Sequence, residues 1–136
     1  MTSFPLKIVT PDGLKFDGQA QELIVRTVDG DLGILAGHAN CVAPLGMGRA
    51  MIRVDGQKRY AACIGGMLSV VEKCVTLVPT TFEWAEDIDV ARAIASENRA
   101  KTVLERKDSS DTDIRLAKAR LMRALVRKSV GGGNQR

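Results

Sequence analysis

Residues 49–64, RAMIRVDGQKRYAACI, decide the fold class. Residues 49–54 show, at least in part, the period of two that is typical of a strand with one solvated face. An Asp-Gly pair follows at residues 55–56, and an apolar run at residues 62–64 comes after it. Because glycine readily adopts the positive φ of a tight turn, Asp-Gly between two apolar runs is a strong hairpin signal. The segment therefore predicts a β-hairpin.

The same pattern continues up to about Phe82. Further Asp-Gly pairs stand at residues 12–13, 17–18 and 29–30, and short apolar segments separate them. Many short strands at a spacing of about ten residues, with no helical period between them, are typical of a sandwich or barrel. The sequence predicts an all-β sandwich over residues 1–82, with about ten short strands.

The composition changes after Pro79, where Ala, Glu, Arg and Lys replace the turn residues. These four residue types are strong helix formers. Acidic residues cluster before the first helical stretch, where the amino end of a helix favours negative charge, and Asp87 is the expected cap. We expect a first helix up to about Arg106, a polar break at residues 107–110 and a second helix up to about Ser129.

The second helix has a start signal and two distinct faces. Ser110 followed three residues later by Asp113 resembles a capping box. By the helical spacing rule, one face is apolar and another is basic. The apolar face comprises Ile114, Ala117, Leu121, Ala124 and Leu125, and the basic face comprises Arg120, Arg123 and Arg127.

Residues 83–136 are therefore predicted to form an arm, an antiparallel α-helical hairpin that ends in a mobile tail from residue 131 onward. The expected contact stripes are rich in alanine: Ala93, Ala100 and Leu104 would face Ala117, Leu121 and Ala124. At about 25 cal/mol per Å², such small side chains contribute little burial. We expect a marginal hairpin that can adopt a second arrangement.

Length and composition set the outer limits. The 136 residues suffice for one core and a small appendage, and 45% hydrophobic with 26% charged residues is typical of a soluble protein. No apolar run approaches the roughly 18 residues of a membrane span, and we expect no secretion signal. Cys41, Cys63 and Cys74 are expected to be buried reduced thiols, which indicates a reducing cytoplasm.

The net charge of +4 is unevenly distributed along the chain. Residues 1–110 contain 13 Lys/Arg and 14 Asp/Glu, whereas residues 111–136 contain seven and two. This asymmetry predicts that the C-terminal end meets something acidic, whether nucleic acid, a lipid surface or an acidic protein loop.

An enzyme is disfavoured because the sequence lacks a nucleophile with a base, metal-ligand spacing and a cofactor fingerprint. His38 is the single histidine, and residues 30–40 are glycine-dense without the Gly-Lys-Ser/Thr of a phosphate loop. A basic nucleic-acid-binding module, or a general protein-interaction module, stays open on the basis of the arginine face. The 4% aromatic content argues against base stacking.

Three motifs resemble the epsilon subunits of bacterial F-type ATP synthases. Residues 30–39, GDLGILAGHA, resemble the family signature G-x-x-G-x-x-x-x-H-A-P, with Asn40 where the family has proline. Residues 65–70, GGMLSV, resemble the second conserved turn and strand, and residues 88–93, IDVARA, match the I/L-D-x-x-R-A motif. Their order and spacing agree, and the resemblance covers nearly the whole chain.

The resemblance implies a non-catalytic rotor subunit at the cytoplasmic face of the bacterial membrane. Its sandwich would grip the gamma subunit and rest on the c-ring, with a loop bearing Asp31 and His38 near the c-ring. The arm would either fold against the sandwich or extend toward the catalytic alpha and beta subunits, where it brakes ATP hydrolysis. Arg120, Arg123 and Arg127 would then meet an acidic loop of a beta subunit.

The resemblance requires no cofactor but implies ATP as a possible regulatory ligand. In some bacterial members the I/L-D-x-x-R-A motif binds ATP, and the corresponding residues here are Ile88, Asp89, Arg92 and Ala93. Asp89 and Arg92 are one helical turn apart, so they offer an acceptor for an adenine amine and a guanidinium for phosphate. The alternative is a plain i, i+3 ion pair. ATP would shift the population of arm states without being hydrolysed.

Overall fold

Ten strands, a short 3₁₀ turn and two α-helices account for most of residues 2–132, the part of the chain that this computed structural model describes. The chain divides into two units, Met1–Trp84 and Ala85–Arg136. The first contains the strands and the second contains the helices, so the predicted fold class is confirmed.

The strands are short and closely spaced along the chain. They are β1 (Phe4–Thr10), β2 (Gly13–Ala20), β3 (Glu22–Thr27), β4 (Gly30–Ile34), β5 (Cys41–Pro44), β6 (Met47–Val54), β7 (Gln57–Ile64), β8 (Met67–Val71), β9 (Cys74–Val78) and β10 (Thr81–Trp84).

These strands form two five-stranded sheets. One sheet has the order β2-β1-β9-β8-β5 and the other has the order β10-β7-β6-β3-β4. The β1–β9 pair is parallel, and the other strand pairs described are antiparallel. Alternate side chains of both sheets, among them Ile8, Leu23, Ile52 and Leu77, are fully buried in one apolar core. Burying each such side chain stabilises the fold by about 1.5–3 kcal/mol.

The hairpin predicted from residues 49–64 is confirmed. Strands β6 and β7 pair from Met47 opposite Ile64 to Val54 opposite Gln57. Asp55 and Gly56 form the two-residue turn with φ values of 51° and 78°. Both central residues of a type I′ turn need positive φ, and Asp-Gly adopts it at low cost.

The Asp-Gly pair at residues 17–18 does not form a turn, so the hairpin signal is wrong there. Both residues lie inside β2, where Asp17 is opposite Lys7 and Gly18 is opposite Leu6. The long ladder with β1 keeps this segment extended, which the local dipeptide signal does not reveal.

The first helix, α1 (Val90–Glu105), follows a 3₁₀ turn at Ala85–Asp87. Its cap is Asp89 and not Asp87 as predicted, because Asp87 is the last residue of that turn. Asp89 has extended backbone angles, and its Oδ1 accepts a hydrogen bond of 3.0 Å from the backbone N–H of Arg92. This bond satisfies one of the unpaired N–H groups at the helix amino end.

The second helix, α2 (Asp111–Gly131), begins with the predicted capping box. The Ser110 hydroxyl accepts from the Asp113 N–H, and the Asp113 carboxylate accepts from the Ser110 N–H. The helix continues two residues past Ser129 and includes Gly131, the first residue of the predicted mobile tail. Residues 133–136 of that tail lie outside the described residues. No described helix is both long and apolar enough to cross a membrane.

The alanine stripes of the hairpin are largely as predicted. Ala93, Ala100, Ala117 and Ala124 are all buried. Leu125, which the sequence pattern places on the apolar face of α2 but not on its contact stripe, is 38% exposed. It lies next to Ala124 in sequence, and a helix turns about 100° per residue, so the side chain leaves the contact stripe.

The three cysteines differ in their exposure. Cys63 is buried in the sandwich core, and its burial raises the pKa of the thiol to about 12. Cys41 is half-buried and Cys74 is exposed, so the expectation of three buried thiols is wrong for Cys74. Cys74 opens β9, whose side chains alternate between the two faces of the sheet.

Candidate functional site

A basic cleft lies between α1 and α2 and has a volume of about 670 Å³. We call it the arginine cleft because five arginines line it. Arg120, Arg123 and Arg127 belong to α2, so the structure brings the predicted basic face together at one cavity. Arg99 of α1 and Arg106 at its carboxyl end line the cleft from the other side.

The sequence pattern did not identify Arg99 and Arg106 as part of this site. Arg99 lies on one face of α1 together with Ser96 and Val103, at the spacing of three and four residues that a helix requires, and Arg106 is the residue that follows this helix. That spacing is visible in the sequence. Which face of α1 meets α2 is decided by the pairing of the two helices, and the pairing is a tertiary property.

The arginine cleft has the chemistry of an anion-binding site. Asp113 is the acidic side chain among its lining residues, and its carboxylate already accepts a hydrogen bond from the Ser110 N–H. Guanidinium groups bind carboxylates and phosphates through paired hydrogen bonds and stay charged at any physiological pH. The cleft can therefore attract either an acidic protein segment or a phosphorylated small molecule.

The I/L-D-x-x-R-A motif lies at the amino end of α1. Asp89 and Arg92 are exposed, Ile88 is half-buried and Ala93 is buried. The described contact between Asp89 and Arg92 runs from carboxylate to backbone N–H, as a helix cap. None of these four residues lines the arginine cleft.

One face of α1 nevertheless joins the motif to the cleft. Arg92 is four residues before Ser96 and seven before Arg99, and both of these line the cleft. Residues at this spacing follow each other along a single helix face. Arg92 is thus one turn beyond the edge of the arginine cleft.

Glu97 is a further residue that the sequence pattern did not identify. It is a carboxylate on the alanine stripe of α1, and it is only 5% exposed. Its oxygens lie 2.9 Å from Lys101 Nζ and 3.1 Å from Lys128 Nζ. Hydrogen bonds from Lys101, and then from Lys128, hold the pKa of Glu97 below its ordinary value.

In the sandwich, Asp31 and His38 occupy different local structures. Asp31 lies in strand β4 opposite Arg26, and its Oδ1 is 3.0 Å from Arg26 Nε. The expectation that a loop bears Asp31 is therefore wrong, because pairing with β3 makes residues 30–34 a strand. His38 does lie in the loop after β4, and its Nδ1 donates to the Ala39 carbonyl oxygen at 2.8 Å.

Asn40 ends that loop and is tied to another part of the sandwich. Its Oδ1 accepts a 2.9 Å hydrogen bond from the backbone N–H of Glu72, in the turn between β8 and β9. Glu72 and Lys73 form this turn with φ values of 49° and 70°. A side-chain hydrogen bond thus fixes the loop at the position where the family signature has proline.

The fold and site together define a class: a β-sandwich followed by a helical hairpin that carries a cleft lined by five arginines. The family model for the ATP synthase delta/epsilon chain β-sandwich domain matches residues 3–85, and the model for the long α-helix domain of the same chain matches residues 86–130. The chain belongs to the ATP synthase delta/epsilon chain family. Membership makes it a structural and regulatory subunit and not a catalytic one.

Relatives named ATP synthase epsilon chain match this chain over nearly their full length. An ATP synthase epsilon chain of Bacillus velezensis is 44% identical over 132 residues, which is 97% of this chain and 99% of that relative. One from Bacillus subtilis is 43% identical with the same coverage. One from Caldicellulosiruptor bescii is 36% identical over 99% of this chain and 98% of the relative. The predicted resemblance is confirmed, and these matches give no support to a nucleic-acid-binding module.

Solved structures share the fold. A chain in a cryo-EM structure of Euglena gracilis mitochondrial ATP synthase, with OSCP, F1 and the c-ring, superimposes with a TM-score of 0.79 at 19% identity. The match covers 90% of this chain and 77% of that one. A chain from the central stalk and c-ring of Tetrahymena thermophila mitochondrial ATP synthase gives a TM-score of 0.65 at 14% identity, covering 93% and 95%.

Proposed function

We propose that this chain is a rotor subunit of a bacterial F-type ATP synthase that joins the gamma subunit to the c-ring and restrains ATP hydrolysis through the two helices of its arm. The observation that carries the proposal is the arginine cleft on the hairpin of a delta/epsilon family member. As part of that complex, the chain would sit at the cytoplasmic face of the membrane without crossing it.

The c-ring contact is assigned to Asp31 and His38. The Asp31 side chain is 59% exposed even though Arg26 pairs with it, so its carboxylate has acceptor capacity for a second partner. The loop that carries His38 is held in place by Asn40, so it presents a defined surface. A rotor contact that transmits torque requires such a fixed surface.

The braking contact is assigned to Arg120, Arg123 and Arg127, in a state where the arm extends toward the alpha and beta subunits. An acidic loop of a beta subunit supplies the carboxylates that guanidinium groups bind well. Arg99 and Arg106 line the same cleft while the helices are paired. Separation of the helices would open this cleft, so that the three arginines of α2 could contact the beta subunit.

Regulation by ATP is assigned to Ile88, Asp89, Arg92 and Ala93. Asp89 uses one carboxylate oxygen in the helix cap, and the other is available as an acceptor for the adenine amine. Arg92 is exposed and lies on the same face as Arg99, so phosphates could extend from the motif toward the cleft. ATP that binds only paired helices would stabilise them by about 2.7 kcal/mol at a hundredfold excess over Kd. It would hold the arm compact and remain unhydrolysed.

Truncation tests the brake. A chain that ends at Trp84 retains all ten strands of the sandwich described here. We expect the complex to assemble with this truncated chain and to hydrolyse ATP faster than with the full chain. Failure to assemble, or an unchanged rate of hydrolysis in an assembled complex, would contradict a braking arm.

Calorimetric titration of the full chain with ATP tests the regulatory site. We expect Arg92→Ala to weaken binding by about 1.5–3 kcal/mol, the contribution of a charge-assisted hydrogen bond. Arg115→Ala is the matched control, because Arg115 is an exposed arginine of α2 that does not line the cleft. Equal loss in both variants would indicate a general effect of charge and not a site.

A further inference from the structure

A buried carboxylate connects the two helices of the hairpin. Glu97 is located midway along α1 and is 5% exposed, whereas the side chains of Lys101 and Lys128 are about half exposed. Each carboxylate oxygen has its own lysine: Oε2 is 2.9 Å from Lys101 Nζ, and Oε1 is 3.1 Å from Lys128 Nζ. Lys101 is on the same helix as Glu97, and Lys128 is on the other helix.

The surroundings of Glu97 give this contact unusual importance. Its neighbours on the buried stripe are Ala93 and Ala100, and the buried residues of α2 include Ala117 and Ala124. Small side chains bury little apolar area, so apolar contact alone holds the helices weakly. A buried carboxylate also has a large desolvation cost, which only a paired cation offsets.

The position of Lys128 makes the pair sensitive to opening of the hairpin. The helices are connected through residues 106–110, and Lys128 is in the last turn of α2, at the opposite end of that helix. A bond between residues 31 apart in sequence cannot form once the helices separate. The bond between Glu97 and Lys101 lies within one turn of α1 and survives separation.

We propose that Glu97 and Lys128 form a latch that holds α1 and α2 together, and that release of this latch is the step that frees the arm to extend. The second half of this statement rests on the proposed function of the arm as a brake. The first half is a property of the hairpin itself. Lys101 acts as a holder that keeps Glu97 ionised and oriented.

Hydrogen exchange of the full chain, read by mass spectrometry, tests the latch directly. We expect Lys128→Met to accelerate exchange in residues 120–131 roughly tenfold, as loss of a bond to a charged partner would. Glu97→Gln, which keeps the shape and removes the charge, should act similarly. Lys118→Met is the matched control, because Lys118 is an exposed lysine of α2 and does not contact Glu97, and it should change exchange by about twofold or less. Strand amides of the sandwich serve as the internal reference.

Two results would overturn the latch. One is unchanged exchange in α2 after Lys128→Met, and the other is an equal effect of Lys118→Met and Lys128→Met. If a single substitution unfolds the hairpin, a variant in which the charges of Glu97, Lys101 and Lys128 are all inverted still tests the latch. The triple variant E97K/K101E/K128E should exchange at least about fivefold more slowly than E97K alone, because it restores every pairing with opposite sign. Equal rates would also reject the latch.

The regulatory half is tested in the assembled ATP synthase. Lys128→Met should lower ATP hydrolysis relative to the unmodified complex, because more arms would be extended at any moment. A rise in hydrolysis, or no change, would contradict release of the latch as the freeing step. If truncation after Trp84 fails to raise hydrolysis, the brake itself is wrong, and the exchange experiment still decides whether the latch exists.

Discussion

Gly131 lies against Ile88 at the open end of the hairpin. A Cβ atom on Gly131 would stand 2.7 Å from Ile88 Cγ2 and 3.0 Å from Val90 Cγ2, closer than van der Waals contact allows. Glycine at the end of α2 thus lets the helix approach the segment that begins the I/L-D-x-x-R-A motif.

This contact reverses the usual effect of replacing a helical glycine. At a solvent-exposed position in a helix, Gly→Ala stabilises the folded protein by roughly 0.5–1 kcal/mol, because alanine loses less backbone freedom on folding. Here the methyl group would overlap Ile88, so we expect Gly131→Ala to destabilise the helices by about 1–3 kcal/mol. Helical circular dichroism during urea unfolding measures it. Ser129→Ala, at an exposed site in the same turn, is the control and should stay within about 0.5 kcal/mol.

A second prediction concerns pH. Because hydrogen bonds from Lys101 and Lys128 lower the pKa of Glu97 in the folded hairpin, the unfolded chain binds its proton more readily. The resulting stability is fully present above the ordinary pKa of 4.5 and is lost as pH falls through the lowered value in the folded state.

Exchange of α2 amides measured between pH 7 and pH 3, corrected for intrinsic exchange rates, should show falling protection in the acid range. Glu97→Gln removes the titrating group, so the steepness of this loss should decrease in that variant. An identical pH profile in both chains would show that other carboxylates dominate the acid response of the hairpin.

The capping box gives a third prediction. The Ser110 hydroxyl accepts a hydrogen bond of 3.0 Å from the Asp113 N–H. An alanine side chain at this position has no atom that could accept this bond. Ser110→Ala should therefore destabilise α2 by about 1 kcal/mol. Thr112→Ala, at the neighbouring exposed position inside the first turn, is the control. Equal unfolding free energies for the two variants would show that the box contributes nothing measurable.

The sandwich was predictable from the sequence because its signals are local. Alternation in residues 49–54 and the Asp-Gly pair after them specify strand, turn and strand without reference to the rest of the chain. Asp17-Gly18 shows the limit of this reasoning. The same dipeptide is extended there because β2 pairs with β1. Two residues alone do not reveal which strand will pair with them.

Only the part of the arginine cleft that lies on α2 was predictable from the sequence. Arg120, Arg123 and Arg127 share a face by periodicity alone, but their opposition to Arg99 depends on how α1 and α2 pair. Glu97 is harder still, because a glutamate on a helix is ordinarily solvated. Glu97 is buried because it lies on the stripe of α1 that packs against α2, and one of the two lysines that offset the cost of its burial is 31 residues away.

The tether of Asn40 gives the fourth prediction. Its Oδ1 holds the Glu72 N–H across 32 residues of sequence, at the end of the loop that carries His38. Asn40→Ala leaves that N–H without its side-chain acceptor, and we expect exchange of the Glu72 amide to accelerate roughly five- to tenfold, the effect of one lost hydrogen bond. Leu35→Ala removes an exposed side chain from the start of the same loop and should leave this amide unchanged.

Asn40→Pro separates the two ways in which this loop can be fixed. Proline restricts φ but offers no side-chain acceptor, so it should restore the order of residues 35–40 and leave the Glu72 amide exchanging as fast as in Asn40→Ala. NMR order parameters for the loop and amide exchange for Glu72 measure the two effects independently. Slow exchange of Glu72 in the proline variant would mean that the β8–β9 turn protects its own amide, and the tether would then be incidental to the loop.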